Sequence, residues 1–224
     1  MDSRARTWSS GGCVADRDRR RGVTVALDRT KQALIVIDVQ RDFCPGGALP
    51  ATGCDRILPE VNRYLVEAAE LGVPIYATRD WHPAKTPHFN AYGGEWPAHC
   101  VQGSSGAEFH PALRLPANTV VISKGDDPER PGYSAFDGHT VDGTSFLQEL
   151  RAGRIDLLYV TGLATDYCVK QTTLDALQAG FRVIVLTNAI AGIDVRPGDV
   201  DRALFEMSCA GAVLATGLRV AHSR

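Results

Sequence analysis

The sequence predicts an α/β fold: a doubly wound, mainly parallel β-sheet with helices on both faces. Largely apolar runs of five or six residues recur along the chain, which is typical of strands that are buried on both sides. Segments with the apolar period of a helix separate most of these runs. Strands that alternate with helices form parallel sheets, so the two patterns together indicate a three-layer sandwich.

The same patterns predict the individual elements. In chain order these are a strand at 33–37, a helix at 59–71, strands at 73–78 and 119–123, a short helix at 144–150, a strand at 157–161, a helix that opens at Asp166, a strand at 181–186, a helix at 198–209 and an edge strand at 212–214. The stretch 80–118 lacks a strand or a long helix but is rich in Trp, His, Phe and Pro. We therefore expect it to be an ordered loop that builds a site.

The composition suits one sizeable domain and gives no indication of a charged partner. The chain has 224 residues, of which 44% are hydrophobic, and its net charge of −2 gives no reason to expect nucleic acid or a membrane surface as partner. No apolar run approaches the roughly 20 residues of a membrane span. The six cysteines show no CxxC spacing, so we expect reduced thiols and a cytoplasmic location. The oligomeric state is left open, and a homo-oligomer is allowed.

The N-terminal residues differ in composition from the rest of the chain. Residues 1–22 hold six arginines among Ser, Gly and Asp, with few apolar residues, which predicts a disordered tail. A twin-arginine export signal would need an apolar stretch after the arginines, but the short run that follows ends at Asp28. Residues 23–224 are therefore predicted to form a single domain.

Three side chains of complementary chemistry end, or closely follow, predicted strands: Asp38, Lys124 and Cys168. Parallel sheets bind ligands at the carboxyl ends of their strands, so these side chains are expected to converge. A cysteine thiolate is a nucleophile, a carboxylate can accept its proton, and an ammonium group can balance the charge. Cys168 lies in the first turn of a predicted helix, which predicts a depressed pKa for its thiol. Each residue taken singly also has an ordinary structural explanation.

The loop after the second strand contains candidate metal ligands. Asp80 and His82 are two residues apart, and His88 and His99 follow in the same loop. One carboxylate with two or three imidazoles suits Zn²⁺, Fe²⁺ or Mn²⁺, with positions left open for water or a ligand. The Asp-x-His pattern is weak by itself, because histidines in loops commonly hydrogen-bond to the backbone.

Six stretches carry a resemblance to a known family: IDVQRDFCPGGAL (37–49), TRDWHP (78–83), WPAHCV (96–101), SKG (123–125), YSAF (133–136) and GLATDYCV (162–169). With these motifs in this order, the sequence between about 32 and 216 resembles the nicotinamidase/pyrazinamidase family of the isochorismatase-like cysteine hydrolases. The segment 125–132, rich in acidic residues and proline, matches no family pattern and leaves the lid of the pocket undefined.

The resemblance implies an isochorismatase-like fold and hydrolysis of nicotinamide, and also of pyrazinamide, through a cysteine thioester in NAD salvage. It also implies one divalent ion, with Zn²⁺ favoured over Fe²⁺ and Mn²⁺. The implied catalytic triad is Asp38, Lys124 and Cys168, and the implied metal ligands are Asp80, His82 and His99, with His88 as a less secure fourth. The implied substrate-binding residues are Phe43 and Trp96, which stack on the ring, Tyr133 in the pocket, and Leu163 and Ala164, which are joined by a cis peptide beside the oxyanion hole.

Other functions are compatible with parts of the sequence. An amidohydrolase of carbamoyl or ureido compounds would use the same triad but would not need the metal ligands, so metal content separates the two. The isochorismatases cleave a vinyl ether and as a group lack the nucleophilic cysteine. A non-catalytic binding protein on a similar sheet is a third alternative, and a cysteine protease that uses Cys100 beside His99 is a fourth. Adjacent residues in an extended loop point apart, which argues against the protease.

Overall fold

A computed structural model describes residues 31–130 and 132–218 of the chain. The predicted tail, 1–22, lies outside the described residues. Within the described ranges, the six strands form a single sheet, and both of its faces are covered. No helix in these ranges is long and apolar enough to span a lipid bilayer.

The sheet is parallel throughout, which confirms the predicted fold class. Its strand order is β3-β2-β1-β4-β5-β6. The strands are β1 (Gln32–Ile37), β2 (Ile75–Asp80), β3 (Val120–Lys124), β4 (Leu157–Leu163), β5 (Arg182–Ala191) and β6 (Val213–Ala215). The chain adds strands in one direction from β1 and in the other from β4, so the order reverses between these two central strands. Ligand sites in this architecture lie outside the carboxyl ends of the strands at such a reversal.

The side chains of β1 alternate between two hydrophobic cores because successive residues of a strand point to opposite faces. Leu34 and Val36 pack on the side of the first helix, whereas Ala33, Ile35 and Ile37 pack on the side of the other three. The helices are α1 (Cys54–Glu70), α2 (Phe146–Ala152), α3 (Lys170–Gln178) and α4 (Asp199–Ala210). A π-helical turn, Thr165–Val169, connects the end of β4 to α3.

Two elements extend well beyond their predicted bounds, each by five residues. Helix α1 begins at Cys54 and includes Pro59 in its interior. Proline there removes one helical hydrogen bond, but the buried side chains Ile57 and Val61 on either side pack into the core and hold the helix. Strand β5 continues past a register shift to Ala191, and the polar residues at 187 and 188 had hidden this continuation from the apolar pattern.

The state of two cysteines differs from expectation. Cys44 and Cys54 form a disulfide, with Cα atoms 5.3 Å apart, so the prediction of reduced thiols throughout is wrong for this pair. The two residues are 10 positions apart in sequence and match no disulfide or metal motif. They meet because the loop after β1 returns to the start of α1. Cys100 and Cys168 are buried thiols.

Candidate active site

A cavity opens at the carboxyl edge of the sheet, beside the reversal of strand order. All of the predicted site residues except Asp38, Lys124 and Leu163 line its wall. Asp38 and Lys124 lie behind the wall, where both are 0% exposed. The side chain of Leu163 packs into the core on the α1 side, so this residue does not face the cavity. The peptide bond between Leu163 and Ala164 is cis, as the resemblance implies.

The backbone at the end of β1 and β4 brings the predicted triad together. Gly162 has a φ of +107°, and a Cβ at this position would lie 2.1 Å from the carbonyl oxygen of Ile37. Only glycine therefore allows the last residues of β4 to approach the end of β1 so closely. Asp38 follows Ile37, and Cys168 lies in the π-helical turn after β4. The close approach of the two strands sets the distance between these two side chains.

Asp38 is held from two sides. Thr78 Oγ1 donates a hydrogen bond to Asp38 Oδ1 at 2.6 Å, and Lys124 Nζ forms an ion pair with Asp38 Oδ2 at 2.8 Å. The residue has a φ of +47°, an uncommon conformation for a residue with a side chain. Burial raises the pKa of Asp38, although the Lys124 ammonium acts in the opposite direction. A carboxylate with a raised pKa is a better acceptor for a proton from a nearby thiol.

Lys124 connects the triad to the metal ligands. Its Nζ contacts Asp38 and also forms an ion pair with Asp80 Oδ1, lies 3.1 Å from the carbonyl oxygen of Gly132 and lies 3.4 Å from Cys168 Sγ. Burial acts against the charged form, but Asp38 and Asp80 together raise the pKa of Lys124 well above its ordinary value. The residue is therefore a permanent cation between two buried carboxylates. The sequence predicted Lys124 as a site residue but did not show that its ammonium group pairs with Asp80 as well as with Asp38.

The pKa of the Cys168 thiol is raised in this arrangement, contrary to the prediction of a depressed pKa. Burial raises the pKa of Cys168 well above its ordinary value, and Asp38 and Asp80 raise it further, whereas Lys124 lowers it. A hydrogen bond between the thiol and Asp38 also favours the protonated form. The prediction considered only the helix terminus, and full burial beside two carboxylates outweighs that effect. The thiol proton thus already faces a carboxylate that can accept it.

Three predicted metal ligands converge next to the triad. Ligand atoms of Asp80, His82 and His99 all lie within 4.8 Å of one another, and all three residues are buried. Asp80 Oδ2 is 3.7 Å from His82 Nε2 and 3.8 Å from His99 Nε2. These distances exceed those of direct hydrogen bonds. A second group of potential ligands, formed by Asp38, Asp80 and Cys168, surrounds the Lys124 ammonium, which already fills the cation position there.

The hydrogen bonds of the two imidazoles fit a divalent ion. His82 Nδ1 donates to the carbonyl oxygen of Gly125 at 2.7 Å, and His99 Nδ1 donates to that of Pro97 at the same distance. Because a carbonyl oxygen only accepts, each Nε2 carries the lone pair that a metal needs. Charge gives a second argument, since burial opposes ionisation but Lys124 holds the pKa of Asp80 well below its usual range. Two buried carboxylates thus face one ammonium, and a cation at the imidazoles would balance the remaining charge.

His88 lies beside this group without joining it. Its ring centroid is 5.2 Å from that of His82, but its nitrogen atoms are outside the set that lies within 4.8 Å. His88 Nε2 is buried without a hydrogen-bond partner among the described residues. Burial lowers the pKa of His88, and neighbouring His82 adds to this effect, so the ring is neutral and its lone pair is available.

Aromatic residues form the remaining wall of the cavity. Phe43 and Trp96 line it as predicted, and Trp96 Nε1 donates a hydrogen bond to the hydroxyl oxygen of Tyr133 at 2.8 Å. Tyr167 also lines the cavity and contacts the Trp96 ring edge-on, with centroids 5.0 Å apart. The sequence analysis missed Tyr167, although its position next to Cys168 in a tight turn was a usable signal. Together, these rings give the cavity a mostly apolar wall, which suits an aromatic substrate.

Gln40 is a second residue that the sequence analysis missed. Its side-chain Nε2 donates to the backbone carbonyl oxygens of Asp80 (2.8 Å) and Ala107 (2.9 Å), and its Oε1 accepts from the backbone N–H of Asp80 (2.8 Å). Gln40 is fully buried, so these bonds are not exchanged with water. Both polar groups of the Asp80 backbone are therefore fixed by a single side chain. We infer that Gln40 positions the Asp80 carboxylate.

Replacing Gln40 with glutamate is expected to weaken metal binding by about 10- to 100-fold, the usual range for a residue that orients a ligand. The new carboxylate can still accept from Asp80 N–H but cannot donate to the two carbonyl oxygens. Metal affinity can be measured by competition with a chromophoric chelator. Gln102→Glu is the matched control, because the Gln102 amide donates to the neighbouring carbonyl of Trp81 at an exposed position. Equal affinities of the two variants would contradict the positioning role.

The fold and the site together define a class of protein. A thiol that faces a buried carboxylate and ammonium at the edge of a doubly wound sheet is the arrangement of a cysteine hydrolase. Cys100 is no competitor as nucleophile, because its side chain is 0% exposed and, unlike that of Cys168, does not line the cavity.

Comparison with known proteins identifies the family to which this cysteine hydrolase belongs. The isochorismatase domain matches residues 32–217. The nicotinamidase of Escherichia coli K12 is 42% identical over 201 residues, which cover 83% of this chain and 94% of that enzyme. The nicotinamidase/pyrazinamidase of Mycobacterium tuberculosis is 41% identical over 165 residues, covering 72% of this chain and 87% of that protein. The chain belongs to the isochorismatase domain family and, within it, to the nicotinamidases and pyrazinamidases.

A solved structure supports the same relationship. The crystal structure of the pyrazinamidase of Pyrococcus horikoshii in complex with zinc superposes with a TM-score of 0.77 at 45% sequence identity. The similarity covers 84% of this chain and 99% of that one.

Proposed function

We propose that this protein hydrolyses the carboxamide of nicotinamide to nicotinate and ammonia and deamidates pyrazinamide as a second substrate. The observation that carries the proposal is the position of the Cys168 thiol. It lies in the wall of an aromatic cavity, 3.4 Å from Lys124 Nζ, and shares this wall with the three clustered metal ligands. The names of the relatives from E. coli and M. tuberculosis agree with this substrate class. The proposal includes a cytoplasmic role in NAD salvage.

The triad accounts for the chemistry of amide hydrolysis. Asp38 accepts the proton of the Cys168 thiol, and the thiolate attacks the carboxamide carbon, with Lys124 balancing the charge of both groups. Backbone N–H groups of Ala164 and Cys168 would stabilise the oxyanion, a contribution of about 3–4 kcal/mol for a good donor. Protonated Asp38 then gives its proton to the departing ammonia. Water hydrolyses the thioester that remains and restores the thiol.

The remaining residues bind and orient the substrate. Phe43 and Trp96 would stack on the two faces of the pyridine ring, and Tyr133 would close the pocket through its hydrogen bond with Trp96. Asp80, His82 and His99 would hold a divalent ion, with His88 as a fourth ligand. When bound, such an ion would contact the ring nitrogen and orient the substrate, which is a template role rather than a Lewis-acid one. We propose Zn²⁺ as this ion, because one carboxylate with imidazoles suits it and the related P. horikoshii structure contains zinc.

Ammonia release from nicotinamide tests the proposed function. The purified protein, with its metal content determined on the same sample, is expected to release one ammonia for each nicotinate formed. Carbamoyl and ureido compounds serve as the comparison substrates. Hydrolysis of these compounds without hydrolysis of nicotinamide would reject the proposal and favour the related amidohydrolases.

Removal of the metal is expected to reduce activity strongly, chiefly through a higher KM, because the ion orients the substrate. The apo-protein can be prepared with a chelator and then given Zn²⁺, Fe²⁺ or Mn²⁺ in parallel, and the ion that restores activity at the lowest concentration identifies the metal. His88→Ala is expected to lower the affinity for the ion, whereas His110→Ala, outside the cavity, is expected to leave it unchanged. Full activity after complete metal removal would contradict this role.

A further inference from the structure

The Cys44–Cys54 disulfide lies in the segment that brings two side chains to the cavity. Phe43 precedes the first cysteine and Leu49 lies between the two, and both side chains line the cavity wall. Cys54 is the first residue of α1. The two cysteines are 1% and 0% exposed and belong to the same hydrophobic core cluster as Phe43. The disulfide thus connects a cavity-forming segment covalently to a core helix.

The other bonds of this segment are mainly internal to it. The N–H of Ala51 donates to the carbonyl oxygen of Phe43 at 3.0 Å, and that of Leu49 donates to Asp42 at 2.9 Å. These bonds fold the segment on itself but do not fix its position over the cavity. Two hydrogen bonds reach other parts of the chain: Asp42 Oδ2 accepts from Cys100 N–H at 2.7 Å, and Thr52 N–H donates to the carbonyl oxygen of Gly192 at 2.9 Å. The Phe43 ring also contacts the ring of His99, with centroids 5.5 Å apart. The disulfide adds a covalent link to these noncovalent contacts.

We propose that the Cys44–Cys54 disulfide is a redox-sensitive brace that holds Phe43 and Leu49 in position for substrate binding. In the dithiol form the segment samples more conformations, so part of the binding free energy is used to order it. The identity of the substrate in this proposal rests on the proposed function, whereas the brace itself does not.

The redox step involves only these two cysteines and a small thiol compound. On oxidation, two S–H bonds break and one S–S bond forms, while two electrons and two protons pass to a low-molecular-weight disulfide, which is cleaved to two thiols. An excess of a small dithiol reverses the step. Cys168 follows β4 on a different segment and is a thiol in both states. Oxidation of the pair is therefore expected to change KM and to leave kcat largely unaffected.

Peptide mapping tests the disulfide without any activity measurement. Trypsin cleaves after Arg41 and Arg56, and no other lysine or arginine lies between them, so both cysteines fall in one peptide, 42–56. Protein that is alkylated under denaturing conditions without reductant is expected to yield this peptide unmodified and two hydrogen atoms lighter than the dithiol. Protein treated with a small dithiol is expected to yield the doubly alkylated peptide. A doubly alkylated peptide from protein prepared without reductant would overturn the proposal.

Steady-state kinetics test the effect of the brace on substrate binding. Reduction is expected to raise KM for nicotinamide by about 3- to 10-fold, the range expected when one or two side chains must be ordered on binding. Cys54→Ala keeps a small apolar side chain at the buried position and is expected to show the raised KM with or without reductant. Cys209→Ala, on α4, is expected to respond to reductant like the wild type.

The two proposals fail in different ways. If neither redox form hydrolyses nicotinamide, the proposed function fails. The brace can still be tested by amide hydrogen exchange of residues 42–54. Faster exchange in the dithiol form than in the disulfide form supports the brace. Equal exchange in the two forms, or an unchanged KM in an active protein, overturns it.

Discussion

Replacing Cys168 with alanine is expected to abolish ammonia release from nicotinamide, with a loss on the order of 10⁴-fold or more in kcat. The thiol is the nucleophile of the proposed reaction, and no other described cysteine lines the cavity. Alanine is smaller than cysteine and apolar, so it fits the buried position without strain. The metal content is expected to stay unchanged, because Asp80, His82 and His99 form a ligand set without Sγ.

A control and a contrary result define the Cys168→Ala experiment. Cys209→Ala replaces an exposed cysteine on α4 and is expected to keep full activity. Circular dichroism and a thermal melt of both variants exclude unfolding as the cause of a loss. Activity of Cys168→Ala within a factor of ten of the wild type would remove the nucleophile from the mechanism. Loss of the metal in this variant would indicate that Sγ is a ligand, which contradicts the assignment of the ion to the imidazoles.

Replacing Lys124 with methionine is expected to destabilise the fold by about 3–5 kcal/mol and to abolish activity, because it leaves buried carboxylates without their partner. Lys124 is 0% exposed and forms ion pairs with both Asp38 and Asp80. Methionine has a similar length, so the loss of charge rather than a cavity dominates the effect. Urea unfolding of the wild type and the variant measures the difference in the free energy of unfolding.

The destabilisation of Lys124→Met is expected to depend on pH. Without the ammonium, burial raises the pKa values of the two carboxyl groups in the folded state above those in the unfolded chain. The folded variant then binds protons more tightly than the unfolded chain, so its stability falls as the pH rises through this interval. The deficit relative to the wild type is therefore largest at neutral pH and shrinks under acidic conditions.

Lys170→Met is the matched control for the Lys124 variant. The Lys170 ammonium forms an ion pair with Glu206 at 3.3 Å, but both side chains are partly exposed to solvent. Such a pair contributes about 0–1 kcal/mol. A deficit of Lys124→Met that equals that of Lys170→Met, or that does not change with pH, would contradict the role of Lys124 as the shared partner of two buried carboxylates.

The local patterns that identify strands and helices were sufficient for the fold class. The apolar run of β1 and the change from strand to helix before Cys168 are signals within a few residues of sequence, although the predicted helix begins as a π-helical turn, Thr165–Val169. Bounds were less accurate where a local rule conflicted with packing. Pro59 would end an isolated helix, yet α1 continues through it because its neighbours are buried. The end of β5 depends on pairing with β4 after a register shift, which no local pattern shows.

The candidate site could be predicted to the level of residue identity but not of interaction. Sequence indicated that Asp38, Lys124 and Cys168 meet, since each ends or closely follows a strand of one parallel sheet. It did not indicate that Gln40 fixes both backbone groups of Asp80, because the contact spans 40 positions. It also placed Leu163 at the cavity on the strength of a motif, whereas its side chain packs in the core.

The sequence by itself determined which side chains stand at the carboxyl edge of the sheet, because strand periodicity and turn residues are local properties of the chain. Only the tertiary structure decided which of these charged side chains form ion pairs with one another. Lys124 reaches both Asp38 and Asp80, so the nucleophile and the metal ligands form one electrostatic unit. Burial of that unit raises the pKa of Cys168, contrary to the effect expected from its helix terminus. The pairing of Cys44 with Cys54 was also decided there, because the path of the loop brings two distant thiols together.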